Sequence, residues 1–328
     1  MRRKKYFNNR KIRRQAKKVI CIATLSATML TSIPFVTYTD AYAKGQTTLE
    51  EMKALLIPTE NVITYDLSNP SLITDKTIVD YFGRETTVKV IEVNITKNGN
   101  YIIKGNNEIN GALIDTHIVV AEGVEANLIF DGAVIQNDDK YCMEIDTSSH
   151  RYNDPFFPIL DIAGKANVYV KDDTSLTGIG QQEYSSKVIE VAGELVLKES
   201  DATLTLKGAY DAISGRRAGV RQHGSVTVEG GNLVIEGDLS CIDRFTMTGG
   251  TITKLDQNYL FLTANDIVMT GGTWNIPFIG SNYNELKVFD AASSITVSGG
   301  KIQVNESRNA SATVLAAGHV RVSGGVFE

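Results

Sequence analysis

The stretch SVTVEGGNLVI, Ser225–Ile235, decides how this chain is read, because the chain rewrites it four more times. The copies are RFTMTGGTITK (Arg244–Lys254), DIVMTGGTWNI (Asp266–Ile276), SITVSGGKIQV (Ser294–Val304) and HVRVSGGVF (His319–Phe327). Their Gly pairs stand at Gly230/Gly231, Gly249/Gly250, Gly271/Gly272, Gly299/Gly300 and Gly324/Gly325, with spacings of 19, 22, 28 and 25 residues. Irregular length with fixed grammar is the mark of a repeat architecture. Each copy is a short strand of alternating apolar residues, a two-Gly corner and a second short strand. One such unit cannot bury its apolar face alone, so the units must stack.

Working upstream, a further strand precedes each unit: PILDIAG (158–164), KVIEVAG (187–193), DAISGRR (211–217), LSCIDRF (239–245), YLFLTAN (259–265), KVFDAAS (287–293) and TVLAAGH (313–319). Three strand types in fixed order, corners of Gly, Asn, Asp and Ser, and almost no Pro inside the runs predict an all-β chain. The expected fold is a right-handed parallel β-helix with three strands per coil and about nine coils. A β-sandwich would also show short alternating strands, but it has no reason to repeat three strand types in order. Thr48–Leu56 (TLEEMKALL) carries a capping-box pattern, Thr48 with Glu51, which predicts a short N-terminal helix over the first coil. The text ends inside a strand at Val326–Glu328, which reads as a truncated sequence or a missing cap. The expected organisation is a signal peptide over 1–43, an N-terminal cap and first strands over 44–92, and the β-helix over 93–328.

The first 43 residues hold ten Lys/Arg before residue 19, an apolar stretch from Val19 to Val36, and Ala41-Tyr42-Ala43. That is the pattern of a cleaved secretory signal, so the expected location is outside the cell or on its surface. Removing these residues leaves 23 basic and 37 acidic residues, a net charge of −14 instead of −5. Such a surface repels nucleic acid and anionic membranes. It suits neutral glycans, cations, or acidic polymers bridged through a cation. A monomer is expected. Beyond the signal only Cys142 and Cys241 remain; a disulfide is compatible with export, and the register of Cys241 in a core-like strand favours two separate thiols.

Three pieces, ITKNGNYIIKG (Ile95–Gly105), NLIFDGAVIQN (Asn127–Asn137) and LTLKGAYDAI (Leu204–Ile213), together with the Gly-pair units, resemble a bacterial family of carbohydrate-binding β-helix proteins. Its clostridial members resemble pectate lyases in fold and bind cellulose or polygalacturonate. The resemblance covers about half of the mature chain and rests mostly on turn and core positions. It implies a pectate lyase-like fold and a polysaccharide partner. In place of the family's short link after Asn137 this chain has a long insertion, Asp138–Phe157.

Three sets of residues could carry chemistry. Tyr152, Tyr184, Tyr210, Tyr259 and Tyr283 each fall at a corner between third strand and next first strand. Stacked strands lie about 4.8 Å apart, a step close to the length of a sugar unit, so a row of Tyr faces suits a glycan; the alternative is that the rings merely cover the corners. Acids also gather at corners, in the insertion and at Asp211, Asp238 and Asp243. Calcium takes six to eight oxygen ligands, which makes these three the candidate metal ligands, against the alternative of solvated surface acids. The basic cluster Arg216, Arg217, Arg221 and His223 lengthens a single corner. β-Elimination of a uronate needs a base beside the carboxylate, so the three Arg residues are the lyase candidates. Arg216 and Arg217 also suit bidentate binding of a carboxylate. His117, His150 and His319 show no metal spacing.

The reading is therefore a secreted protein that binds acidic or cellulosic polysaccharide without cleaving it, aided by calcium. Two alternatives stay open: a polyuronate lyase, and a surface structural or adhesin spacer that presents loops.

Overall fold

The computed structural model describes residues 62–79, 85–138, 158–178, 187–215, 223–255, 260–276, 286–304 and 312–328, all within the unit Glu50–Glu328. The expected signal peptide and the expected helix at Thr48–Leu56 lie outside the described residues.

The regular elements of the described residues are all strands apart from a three-residue 3-10 turn at Pro70–Leu72. It opens with an antiparallel pair, Ile73–Val79 against Glu85–Ile95, in which Ile73 faces Ile91. From there the main sheet pairs in parallel, and 21 strands belong to one continuous sheet. Seven of them close a ring. Glu125–Asn137 pairs with Lys165–Asp172, which pairs with Glu194–Leu197, then Ser225–Val228 and Asn232–Met247. The ring returns through Thr203–Ser214 and Thr174–Gly178 to Glu125–Asn137, and the remaining strands attach outside it.

This corrects the expected right-handed parallel β-helix of three separate short strands per coil. That expectation broke the chain at every corner. In the structure several corners are crossed without leaving the ladder: Asn232–Met247 is a single strand of 16 residues, bent where Gly237 takes φ +107° and Cys241 φ +53°. A strand that runs through a bend pairs with different neighbours at its two ends, and this closes the ring and joins every face into one sheet. Cys241 is also not the core residue expected from its register. It is an exposed free thiol on a left-handed backbone, a conformation uncommon for a residue with a Cβ.

Alternation does place the core. Leu128, Val168, Leu197, Val228, Met247, Met269 and Val297 follow one another as register partners, and all are buried. A second inward row runs Leu204, Leu233, Ile252, Trp274 and Ile302. Fully burying such a side chain contributes roughly 1.5–3 kcal/mol. Trp274 has no exposed surface and meets Phe245 and Phe289 edge-on, at centroid distances of 5.8 and 5.0 Å. Cutting it back to Ala removes the largest buried side chain and should cost about 3–5 kcal/mol.

The Gly pairs serve the stacking. Gly250 has φ +74° and Gly272 φ +77°, and a Cβ on Gly272 would sit 2.5 Å from the carbonyl oxygen of Gly249. Only a residue without a side chain fits a left-handed backbone at that approach.

Candidate functional site

Where the strands Asp115–Val120, Leu160–Ile162 and Lys187–Val191 turn into Glu125–Asn137, Lys165–Asp172 and Glu194–Leu197, the turns are short: Ala-Glu-Gly-Val at 121–124 and Ala-Gly at 163–164 and 192–193. They lie one on another through backbone bonds: Lys165 N donates to Val124 O at 2.8 Å, Glu194 N to Gly164 O at 2.9 Å, and Ser225 N to Gly193 O at 2.9 Å. A Cβ on Gly164, Gly193 or Gly224 would come within 2.3, 1.8 or 2.2 Å of a backbone carbonyl oxygen. The sequence therefore spends Gly here on close approach, and the result is a flat peptide floor. Above it lies a groove of about 430 Å³.

One wall is a row of charges set by register: Glu125, Lys165, Glu194 and then Ser225 are successive partners. Lys165 Nζ lies 3.2 Å from Glu125 Oε1 and 3.9 Å from Glu194 Oε2. Hydrogen bonds from Lys165 and Asn167 hold the Glu125 carboxyl below its usual range, and the bond to Glu125 in turn raises Lys165. His223 and Asp243 close one end of the lining. The His223 Nδ1 lies 2.8 Å from the Cys241 carbonyl, and Asp243 Oδ1 accepts from Asn265 at 3.1 Å.

Asp211 and Asp238, two of the acids expected to ligate a metal, are register partners, with Lys187 the partner of Asp211 on its other side. Asp211 is 5% exposed, and its Oδ1 has no hydrogen-bond partner among the described residues. Burial pushes its carboxyl up to about 6; hydrogen bonding from Ser240 works against the rise, and the charge of Asp238 adds to it. Asp238 faces the buried Lys254, at 3.0 Å. Asp243 stands in the groove, beyond the Cys241 bend, and does not join the other two. Among the described residues no group of three His, Cys, Asp or Glu is placed to hold a metal ion.

Tyr152, Tyr184, Tyr259, Tyr283, Arg216, Arg217 and Arg221 lie outside the described residues. Tyr210 belongs by its backbone to the strand Thr203–Ser214, and its side chain lies outside the described set. The groove residues Glu125, Lys165 and Glu194 were not singled out from the sequence. Their signal is faint: a charged residue opens each second strand, just after Gly-Val, Ala-Gly and Ala-Gly turns.

A family model described as "Carbohydrate-binding domain-containing protein" matches residues 158–328, just over half of the chain. The chain belongs to that family. Within this carbohydrate-binding family match fall most of the groove, from Ala163 to Asp243, and every Gly-pair unit. Among solved structures the chain is similar to a polysaccharide lyase-like protein from C. thermocellum, solved as a gadolinium derivative. The two are 18% identical, the match covers 81% of this chain and 96% of that one, and the TM-score is 0.41. No curated protein matches the chain.

Proposed function

We propose that this member of the carbohydrate-binding family is secreted and holds a single polysaccharide chain in the groove floored by Gly123, Gly164 and Gly193, without cleaving it. The observation that carries the reading is the pairing of a flat, small-residue floor with the Glu125–Lys165–Glu194 wall. A pyranose ring has an apolar C–H face and an equatorial rim of hydroxyls. The floor suits the face, because its own N–H and C=O groups are already bonded between strands and ask nothing of a ligand. The wall suits the rim, because a carboxylate accepts charge-assisted bonds from hydroxyls and an ammonium donates them. From Glu125 to Ser225 the wall spans three strand spacings, about 14 Å, room for a few sugar units end to end.

The charge selects among glycans. The lining carries three carboxylates, Glu125, Glu194 and Asp243, against the single ammonium of Lys165, which favours neutral sugars over polyuronates. Affinity electrophoresis against soluble neutral glucans and polygalacturonate tests this, alongside ultraviolet detection of unsaturated products. Retardation by a neutral glycan with no product supports the proposal. Unsaturated product from polygalacturonate, or no retardation by any neutral glycan, overturns it.

A further inference from the structure

The strands Thr251–Lys254, Thr273–Ile276 and Lys301–Val304 point Ile252, Trp274 and Ile302 into the core. Alternation therefore sends the residues on either side of these three outward on one face, while Lys254 and Ile276 turn inward again. Register sets these outward residues in two rows, Thr251, Thr273, Lys301 and Thr253, Asn275, Gln303. Asn232 and Val234 extend the two rows by one strand. All six are half-buried, standing on a rigid ladder with their polar ends toward solvent. Only Lys301 is charged, and it is already paired with Glu328 at 2.8 Å.

We propose that this face is a second binding surface, one that lies flat against side-by-side chains of a packed neutral polysaccharide. The inference rests on the carbohydrate-binding reading and adds a separate place and mode to it. Three properties carry it. The face is flat, because Thr is short and stiff at χ1 and no ring among the described residues of the three strands points outward on it. It is almost uncharged in a strongly acidic chain, so it neither attracts polyanions nor repels them. Its hydroxyls and amides donate and accept, and among the described residues those of Thr251, Thr253, Thr273, Asn275 and Gln303 are not engaged in side-chain hydrogen bonds.

The spacing adds to this. Successive strands step about 4.8 Å, and the two rows lie about 6.6 Å apart, two residues along a strand. An extended glycan running across the strands meets a hydrogen-bonding group at nearly every sugar. A neighbouring chain in a packed sheet meets the second row. Each bond contributes only about 0.5–1.5 kcal/mol net, so retention needs many at once, which a solid supplies and a short soluble chain does not. A protein partner is a poorer match, since protein interfaces concentrate their energy in aromatic and Arg anchors, and the two outward rows hold neither among the described residues. The groove, open and acidic, takes one chain; the face takes an array.

The test is partition onto microcrystalline cellulose, run beside affinity electrophoresis in a soluble neutral glucan. The proteins are the wild type, the double variant Thr253→Glu/Asn275→Glu, a second double variant Thr253→Lys/Asn275→Lys, and Glu194→Ala. The wild type is expected to partition onto the solid. Both double variants should lose that partition at least tenfold while keeping the wild-type mobility shift in soluble glucan and the wild-type circular dichroism. Glu194→Ala should do the reverse. Wild type that stays in solution, or double variants that partition like wild type, overturns the surface. So does a change of sedimentation in the double variants with partition intact, since it assigns the face to self-association. Loss of partition in the double variants with no effect of Glu194→Ala on soluble binding overturns the groove alone.

Discussion

The Nζ of Lys254, with no exposed surface, lies 3.0 Å from Oδ1 of Asp238. The same ammonium donates to the carbonyl of Gly237 and sits 5.0 Å from the centroid of the Phe261 ring. A charge removed from water this completely persists only because it is paired and hydrogen-bonded. Asp238→Ala leaves the ammonium without its counter-charge and should lower unfolding free energy by about 3–5 kcal/mol. Replacing both, as Lys254→Met/Asp238→Asn, should recover most of the loss. Urea denaturation of the three proteins checks this; a cost under about 1 kcal/mol for Asp238→Ala contradicts it.

Asp211 makes a pH prediction. Its carboxyl is raised from 3.8 to about 6 in the folded state, so between those two values the folded chain binds more protons than the unfolded one. Stability from this group is present at low pH and is lost as pH rises through about 6. At roughly 1.4 kcal/mol per pKa unit, the full penalty above that pH is on the order of 3 kcal/mol. Asp211→Asn should therefore be more stable than wild type at pH 8, with the advantage shrinking toward pH 4. An advantage that does not change with pH rules out the buried carboxylate as its cause.

In the groove, Glu194→Ala should weaken retention on neutral glucan about tenfold, the loss of one or two charge-assisted bonds. Its melting temperature should hardly move, because an exposed pair of this kind contributes at most about 1 kcal/mol. Equal loss of stability and binding would mean that Glu194 supports the fold and not the ligand.

Calcium is tested by a chelator. Lys165 already faces Glu125 and Glu194, and Lys254 already faces Asp238, so retention by neutral glucan should be the same with and without EDTA. A chelator-dependent loss restored by calcium would assign the corner acids the metal-holding role expected of them from the sequence.

Gly272→Ala should destabilise by more than the 1–2 kcal/mol of a left-handed backbone alone, since its Cβ would also meet the Gly249 carbonyl at 2.5 Å. Thermal unfolding of this variant beside Thr270→Ala, at an exposed position two residues earlier, separates the Gly effect from that of the turn.

The strands and their inward faces were legible because alternation and Gly pairs are local patterns: Gly231, Gly250, Gly272, Gly300 and Gly325 all take positive φ, and Val228, Met247, Met269 and Val297 stack as partners. The ring was not legible, because it depends on corners that the ladder crosses unbroken, and nothing in LSCID announces a left-handed Cys241. An amide ladder was also missed. Asn127 donates to Asn100 at 2.8 Å and Asn167 to Asn127 at 3.0 Å, from Asn residues that stand second in GNYII, ANLIF and ANVYV. Lys254 reads as an ordinary polar strand end in TITK, and its burial follows only from what packs over it. The groove needed the register of residues 125, 165 and 194, which lie 29 to 40 positions apart and carry no shared motif.

The account stands or falls most directly on a crystal structure of the protein with a soluble neutral glucan hexasaccharide. The prediction is a sugar chain lying across Gly123, Gly164 and Gly193 toward Ser225, with hydroxyls within hydrogen-bond distance of Glu125, Lys165 and Glu194. An empty groove with the sugar ordered elsewhere on the protein would contradict it.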